Sequence, residues 1–173
     1  MLGSVSKTKP VGFGGREIWV YDASLSLVLA EVIRDVETMP EEDRPAWWPA
    51  IEEDLRIQAV ISDFYLDLDL GLDAAQREEL ARLLDAAADR VSARGVFTVE
   101  EASAWVVLRD LTVIFRGDEP EDTAPAAELA RALAAMIRGT LSAAPPRTWW
   151  YYGPPGGRTT IEMRADAPED LPN

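Results

Sequence analysis

Residues 96–117 read VFTVEEASAWVVLRDLTVIFRG, and this apolar stretch near the middle of the chain decides the fold expected from the sequence. Thr98 followed by Glu101 forms a capping box, in which the hydroxyl and the carboxylate each bind one amide of a first helical turn. Placed on a period of 3.6 residues from Val99, the apolar side chains form two separate faces. A helix that is apolar on two sides packs between neighbours, so we predict a buried central helix that ends at Gly117.

An alternative interpretation breaks this element near Asp110. Leu111 to Phe115 then forms a buried strand, because the segment is rich in β-branched residues. We favour the single helix, and in both interpretations the segment lies in the middle of the core.

Four more helices are predicted from capping residues and apolar periodicity. They run from Asp22 or Ser24 to Met39, from Pro49 to about Phe64, from Asp73 to Arg94, and from Pro125 to Gly139. The first has a core-facing stripe of Leu25, Val28, Leu29, Val32 and Val36.

Short strands are predicted at Arg16 to Tyr21, Thr148 to Tyr152 and Thr159 to Met163, the last two joined through Gly153 to Gly157. The expected fold is therefore mainly α: a single-domain bundle of about five helices around the central buried helix, with a small antiparallel β-hairpin near the C-terminus. We expect residues 1–15 to be a flexible leader, residues 16–164 one globular helical domain, and residues 165–173 an acidic flexible tail.

The composition excludes several classes of chemistry. The chain has no histidine and no cysteine, which excludes the usual Ser-His-Asp and Cys-His pairs, disulfides, and zinc, haem or iron–sulfur sites built on those residues. Lys7 and Lys9 are the only lysines, and their place in the predicted leader argues against a buried Schiff-base lysine. We therefore expect no cofactor and favour a protein that is not an enzyme.

The formal net charge of −14 bears on the class of partner. An acidic chain is repelled by nucleic acid and by anionic lipid, and it is steered toward basic partners. No apolar run approaches the ~20 residues of a membrane-spanning helix, and the N-terminus lacks the apolar block of a secretory signal. We therefore expect a cytoplasmic protein with a protein partner, itself basic, and no nucleic-acid or membrane partner.

Asp67, Asp69 and Glu78 have the spacing of three ligands in a calcium-binding loop. The pattern departs from such a loop at Leu72, where glycine is needed, and at Gly71, where a ligand is needed. We favour an extended entry into the next helix, with Leu66, Leu68 and Leu70 inward and Asp73 as the cap, so no metal is expected.

Two aromatic clusters are candidate partner-binding sites, because tryptophan and tyrosine are favoured at interfaces. Adjacent aromatic residues on a strand cannot all face one core, so part of this surface must be covered by another segment or face a partner. The alternative is that Trp48 packs under the following helix and that alternate aromatics of the strand close the core. The candidates are Trp47, Trp48, Trp149, Trp150, Tyr151 and Tyr152.

The hypothesis favoured by charge and composition is a non-catalytic acidic protein-interaction domain. One version is an antidote-like or immunity-like protein that covers the basic active site of a nucleic-acid-cleaving toxin, with carboxylates in place of phosphates. The alternative is a small-molecule-binding protein or a carboxylate-dependent enzyme, with a pocket near the aromatic C-terminal hairpin.

Overall fold

A computed structural model of the chain describes residues 7–163. The predicted acidic tail, residues 165–173, lies outside them. Strands and helices alternate along the chain in the manner of an α/β fold. In order, the elements are β1 (Thr8–Phe13), β2 (Arg16–Tyr21), α1 (Asp22–Thr38), α2 (Glu52–Val60), β3 (Leu66–Asp67), α3 (Ala74–Arg94), β4 (Val96–Phe97), α4 (Val99–Ala104), β5 (Val106–Leu108), β6 (Leu111–Thr112), β7 (Glu121–Asp122), α5 (Ala124–Arg138), β8 (Thr148–Gly153) and β9 (Gly157–Glu162), with 3₁₀ turns at Glu41–Asp43 and Trp48–Ala50.

The main β element is a five-stranded mixed sheet with the strand order β3-β1-β2-β8-β9. β3 runs parallel to β1 and β8 runs parallel to β2, whereas β1–β2 and β8–β9 pair antiparallel. Two small sheets pair β4 with β7 and β5 with β6. The predicted mainly-α helical bundle is therefore wrong, because the C-terminal hairpin joins the N-terminal one in a single sheet.

The hairpin β1–β2 supplies the middle of that sheet. Its two-residue turn is formed by Gly14 and Gly15, both with positive φ, 57° and 79°. Glycine adopts this conformation without steric cost, and such turns match the twist of a hairpin. Strand β1 consists of residues that the sequence analysis assigned to the leader, because Pro10 and Gly12 obscure its alternation.

Helix α1 is the most enclosed element of the structure. Thirteen of its seventeen residues are buried, because the sheet lies on one side and α2, α3 and α5 pack around it. Burial of an aliphatic side chain contributes about 1.5–3 kcal/mol, so this helix contributes much of the core energy. The predicted stripe is confirmed, with each member at most 2% exposed: Leu25, Val28, Leu29, Val32 and Val36.

The predicted central helix through residue 115 is wrong. The capping box of Thr98 and Glu101 is confirmed, with both hydrogen bonds present, but α4 ends at Ala104. The following residues form the β5–β6 hairpin, since β-branched side chains on both strands favour extended backbone. Val106 is 54% exposed and Leu111 44% exposed, so the segment is not the buried centre of the molecule.

The other predicted helices are present with shifted ends. Asp73 caps α3 through a capping box with Gln76, and Gly139 ends α5 in the left-handed conformation with φ 72°. Helix α2 ends at Val60 and not near Phe64, whose side chain is 53% exposed.

Arg109→Gly distinguishes the observed hairpin at residues 106–112 from the helix expected from the sequence, because the two predict opposite changes in the free energy of unfolding. Arg109 has φ 55° in the turn between β5 and β6, where glycine avoids a steric cost of about 1–2 kcal/mol. Part of that gain is offset by the chain entropy of glycine. We expect the free energy of unfolding, measured by urea denaturation, to rise by up to ~1 kcal/mol, whereas in a helix it would fall by a similar amount.

Ser103→Gly is the matched control, because Ser103 is exposed within α4. Glycine in a helix is less favourable than serine by about 0.5 kcal/mol, so this variant should lose stability. A loss of stability in both variants would contradict the hairpin.

Candidate functional site

The two faces of the five-stranded sheet differ in what covers them. Successive side chains of a strand point to opposite faces, and the register of β1 with β2 places Val11 beside Ile18 and Lys9 beside Val20. These four residues and Tyr152 are each at most 2% exposed, because α1 and α5 pack on this side of the sheet. We call this side the covered face.

The opposite side carries a continuous surface of aromatic and other apolar side chains, which we call the open face. It consists of Pro10, Trp19, Trp149, Tyr151 and Ile161. The register pairs Pro10 with Trp19, Trp19 with Tyr151, and Trp149 with Ile161, so the surface crosses four strands. All five side chains are partly exposed. The two helices with extensive packing on the sheet are α1 and α5, and the buried side chains of the strands place both on the covered face.

Two tryptophans form the centre of the open face. The rings of Trp19 and Trp149 lie 5.8 Å apart, centroid to centroid, with their planes tilted by 46°. The indole Nε1 of Trp19 is buried and has no hydrogen-bond partner in the described part of the chain. Contact between the rings keeps both side chains in place without a polar bond.

Tyr65 borders the open face and lies close to acidic groups. Its hydroxyl lies over Gly12, where a Cβ atom would collide with it, while the residue as a whole is 48% exposed. Partial burial, and then the nearby charges of Asp67 and Glu17, raise the pKa of the Tyr65 hydroxyl. The open face and its border are therefore aromatic and acidic.

A groove of about 270 Å³ lies at the end of the sheet where β2 and β8 begin. Trp149 forms part of its wall, and the loop before β8 forms another part. The Arg16 guanidinium donates a hydrogen bond to the carbonyl of Leu141, and the Trp150 indole donates one to the carbonyl of Ser142 over 2.8 Å. These bonds hold the loop against the sheet and give the groove its shape.

The first aromatic cluster predicted from the sequence does not form part of the open face. Trp48 is 3% exposed and belongs to the core. The Trp47 indole donates a hydrogen bond of 2.6 Å to the Glu79 carboxylate, and its ring lies edge-on to that of Trp48. Both side chains therefore help to pack the connection between α1 and α2 against the protein.

The second cluster is divided between the two faces by strand alternation. Tyr152 is buried on the covered face, and Trp150 packs there beneath the guanidinium of Arg158, 4.4 Å from the ring centroid. Trp149 and Tyr151 lie on the open face together with Trp19, which was not among the sequence candidates. The alternation of side chains along REIWVY could have indicated that Trp19 lies on the open face, because it turns Trp19 to the side opposite Ile18 and Val20.

The three acidic residues with calcium-loop spacing are bonded to other groups of the protein. Asp69 pairs with Arg77, and Glu78 pairs with Arg138 at 2.9 Å. Asp67 accepts a hydrogen bond of 3.0 Å from the Asp69 amide. In residues 7–163, no group of three acidic side chains is placed to hold a metal ion.

A buried polar network connects β1, the start of α1 and the end of α2. The Asp22 carboxylate is fully buried and accepts hydrogen bonds from Arg116 at 2.5 Å and from Ser62 at 2.6 Å. The Lys9 ammonium donates to the side-chain oxygen of Gln58 at 2.5 Å. Burial lowers the pKa of Lys9 to about 8, although the charge of Asp22 opposes the shift. The sequence pattern did not indicate this network, because its members are far apart in the chain.

Glu121 lies beside a pocket of about 230 Å³ that Ser24, Pro154 and Pro155 help to line. The Tyr21 hydroxyl donates a hydrogen bond of 3.4 Å to its carboxylate. Burial is the main cause that raises the pKa of both Glu121 and Tyr21. A carboxyl group that keeps its proton to higher pH suits general acid catalysis.

Comparison of the chain with protein-family models, with curated proteins and with solved structures finds no match. Within residues 7–163, no helix combines the length and the apolar character needed to cross a bilayer.

The lowered pKa of Lys9 makes stability depend on pH. From pH 8 to about pH 10.4, the unfolded chain holds a proton at Lys9 that the native protein has released, so stability rises with pH. We expect the free energy of unfolding of the wild-type chain, relative to that of Lys9→Met, to increase by roughly 1–2 kcal/mol between about pH 7.5 and about pH 9.5. Urea denaturation at each pH measures it.

Lys7→Met is the control for this experiment, because Lys7 is exposed and directly precedes strand β1. Removal of the exposed Lys7 ammonium should not reproduce the increase expected relative to Lys9→Met. A constant difference for Lys9→Met as well would show that the Lys9 ammonium is not buried.

Proposed function

We propose that the chain is a protein-interaction domain that binds its partner through the open face. The supporting observation is a continuous surface of Pro10, Trp19, Trp149, Tyr151 and Ile161 on a sheet whose other side is sealed by helices. Tryptophan and tyrosine bring a large contact area at low entropic cost and dominate binding energy at many interfaces. Because α1 and α5 already seal the covered face, the open face is the side of the sheet that a partner can contact.

The partner presents basic side chains in this proposal. The chain carries a formal net charge of −14, and the carboxylates of Glu17 and Asp67 lie near Tyr65 at the border of the open face. Strand alternation turns Lys9 and Arg158 to the covered face. Guanidinium and ammonium groups bind aromatic faces through cation–π attraction and pair with carboxylates, so a basic and apolar surface complements this one.

An antidote to a nucleic-acid-cleaving toxin is one form of this function. The active site of such a toxin is basic because it binds phosphates. An acidic aromatic surface that docks over it would exclude the nucleic acid. If the captured partner is a nuclease, we expect the chain to inhibit it in proportion to the fraction of nuclease bound. A captured partner without nuclease activity would exclude the antidote function but not the protein-interaction domain.

Substitutions on the open face are expected to weaken partner binding. A photo-cross-linking residue placed at Ile161 identifies the partner, and calorimetry then measures the affinities of Trp149→Ala and Tyr151→Ala. Each variant should bind about 30-fold more weakly, equivalent to about 2 kcal/mol, as is typical of central aromatic residues at interfaces. The affinity of the wild-type chain should fall as salt is added, because the opposed charges are screened.

Leu111→Ala is the matched control, since Leu111 is an exposed apolar side chain on the separate β5–β6 hairpin. It should bind with wild-type affinity, and circular dichroism of every variant checks the fold. A cross-linking residue placed at position 111 is the control for the one at position 161. Equal cross-linking of the partner from both positions, or unchanged affinity of both open-face variants, would exclude the open face as the binding surface.

The groove beside Trp149 favours a second function, the binding of a small molecule. Its volume of about 270 Å³ is close to the lower end of the range for ligand pockets. A compound that binds the native state raises the melting temperature. We expect a screen to find compounds that raise it in the wild-type chain but not in Trp149→Ala, and equal shifts in both proteins would place the compounds elsewhere.

A further inference from the structure

Strand β9 is an edge of the sheet, and its outer side has no strand beside it in the described part of the chain. β9 pairs with β8 over six residues, from Gly153 with Gly157 to Thr148 with Glu162. The other edge, β3, is only two residues long. An edge strand of this length presents a row of main-chain groups that another strand can pair with.

The hydrogen bonds show which groups of β9 point outward. The Met163 amide donates inward to the carbonyl of Arg147 at 3.0 Å, whereas the Arg158 amide donates away from β8, to the Glu128 carboxylate on α5 at 3.1 Å. In an antiparallel pair, inward and outward groups alternate along the strand. Arg158, Thr160 and Glu162 therefore direct their amides and carbonyls to the outside.

We propose that two copies of this chain pair antiparallel through β9, about a twofold axis at Thr160. In this register Thr160 lies opposite Thr160 of the second copy, and their outward amides and carbonyls bond to each other. The Glu162 amide reaches the Arg158 carbonyl of the second copy, while the Arg158 amide keeps its bond to Glu128. The two sheets become one, and a C2 interface of this kind is self-complementary.

The side chains of β9 favour this register. Arg158 lies directly opposite Glu162 of the second copy, twice by symmetry. Both residues are exposed, although the Arg158 guanidinium also stacks on the Trp150 ring. Glu162 makes no ion pair within residues 7–163. Opposite charges facing each other across strands stabilise a pair, and like charges destabilise it. Charged side chains on an edge strand usually discourage pairing with another strand. In this register, the charges of Arg158 and Glu162 attract each other and support the pairing.

The dimer also extends the open face. The side chains of Thr159 and Ile161 lie on the open face of β9. In the dimer, Thr159 of each copy lies opposite Ile161 of the other copy. The two aromatic surfaces then adjoin across the axis. The dimer does not depend on the partner binding proposed above, because it uses the edge of the sheet and not its face.

A charge exchange tests the register in the full-length chain. Sedimentation velocity over about 1–500 µM should show the wild type passing from monomer to a species of twice the mass. Arg158→Glu and Glu162→Arg should each weaken the dimer roughly tenfold or more, because both symmetric pairs become repulsive. The double variant restores both pairs with the charges exchanged, so its dimerisation should return to near the wild-type level.

Thr160→Pro tests the main-chain bonds at the axis. Proline is tolerated on an edge strand where its missing amide faced outward, so the monomer should stay folded by circular dichroism while the dimer is lost. Arg82→Glu is the control for charge, because Arg82 is exposed on α3, and it should dimerise as wild type does. A wild-type chain that stays monomeric throughout, a double variant no better than the single ones, or a dimer that survives Thr160→Pro would each overturn the proposal.

Discussion

The enclosure of helix α1 is the constraint on which the rest of the structure depends. Helix α1 is buried on nearly every side, and the covered face of the sheet, with α2, α3 and α5, surrounds it. These helices consequently gather on one side of the sheet. The open face is the result of the same arrangement, since the elements able to cover a sheet are engaged on its other side.

The polar network at the start of α1 ties this core to β1. Lys9 reaches a main-chain carbonyl at the end of α2, on Ile61, at 3.2 Å, and the last carbonyls of a helix have no partner inside it. Asp22 is satisfied by Arg116 and Ser62. Removal of one partner from such a buried ion pair typically costs about 3–5 kcal/mol, because it leaves a charge uncompensated. The network therefore links β1 to the end of α2, and the start of α1 to Ser62 and Arg116.

The two proposed surfaces belong to the same sheet but use different chemistry. The open face offers aromatic side chains beside Glu17 and Asp67, which suits a basic partner. The β9 edge offers main-chain groups with one charge of each sign at its ends, which suits a second copy. In a dimer, the two open faces would form one larger surface, and a partner with two matching sites would bind it with higher avidity.

Local pattern was sufficient for α1, α3 and α5, because caps such as Asp73 and the spacing of apolar residues act within a few turns. It placed Trp149 and Tyr151 among six aromatic candidates but did not show which of the six lie on the open face. Contacts distant in sequence were needed for the main sheet, in which Trp19 pairs with Tyr151 across more than a hundred residues. After Ala104 the apolar periodicity was compatible with a helix, but the β-branched residues there form the β5–β6 hairpin. Burial depends on what packs beside a residue. Tertiary packing, and not periodicity, therefore decided which face of each strand stayed open and that Lys9 is buried.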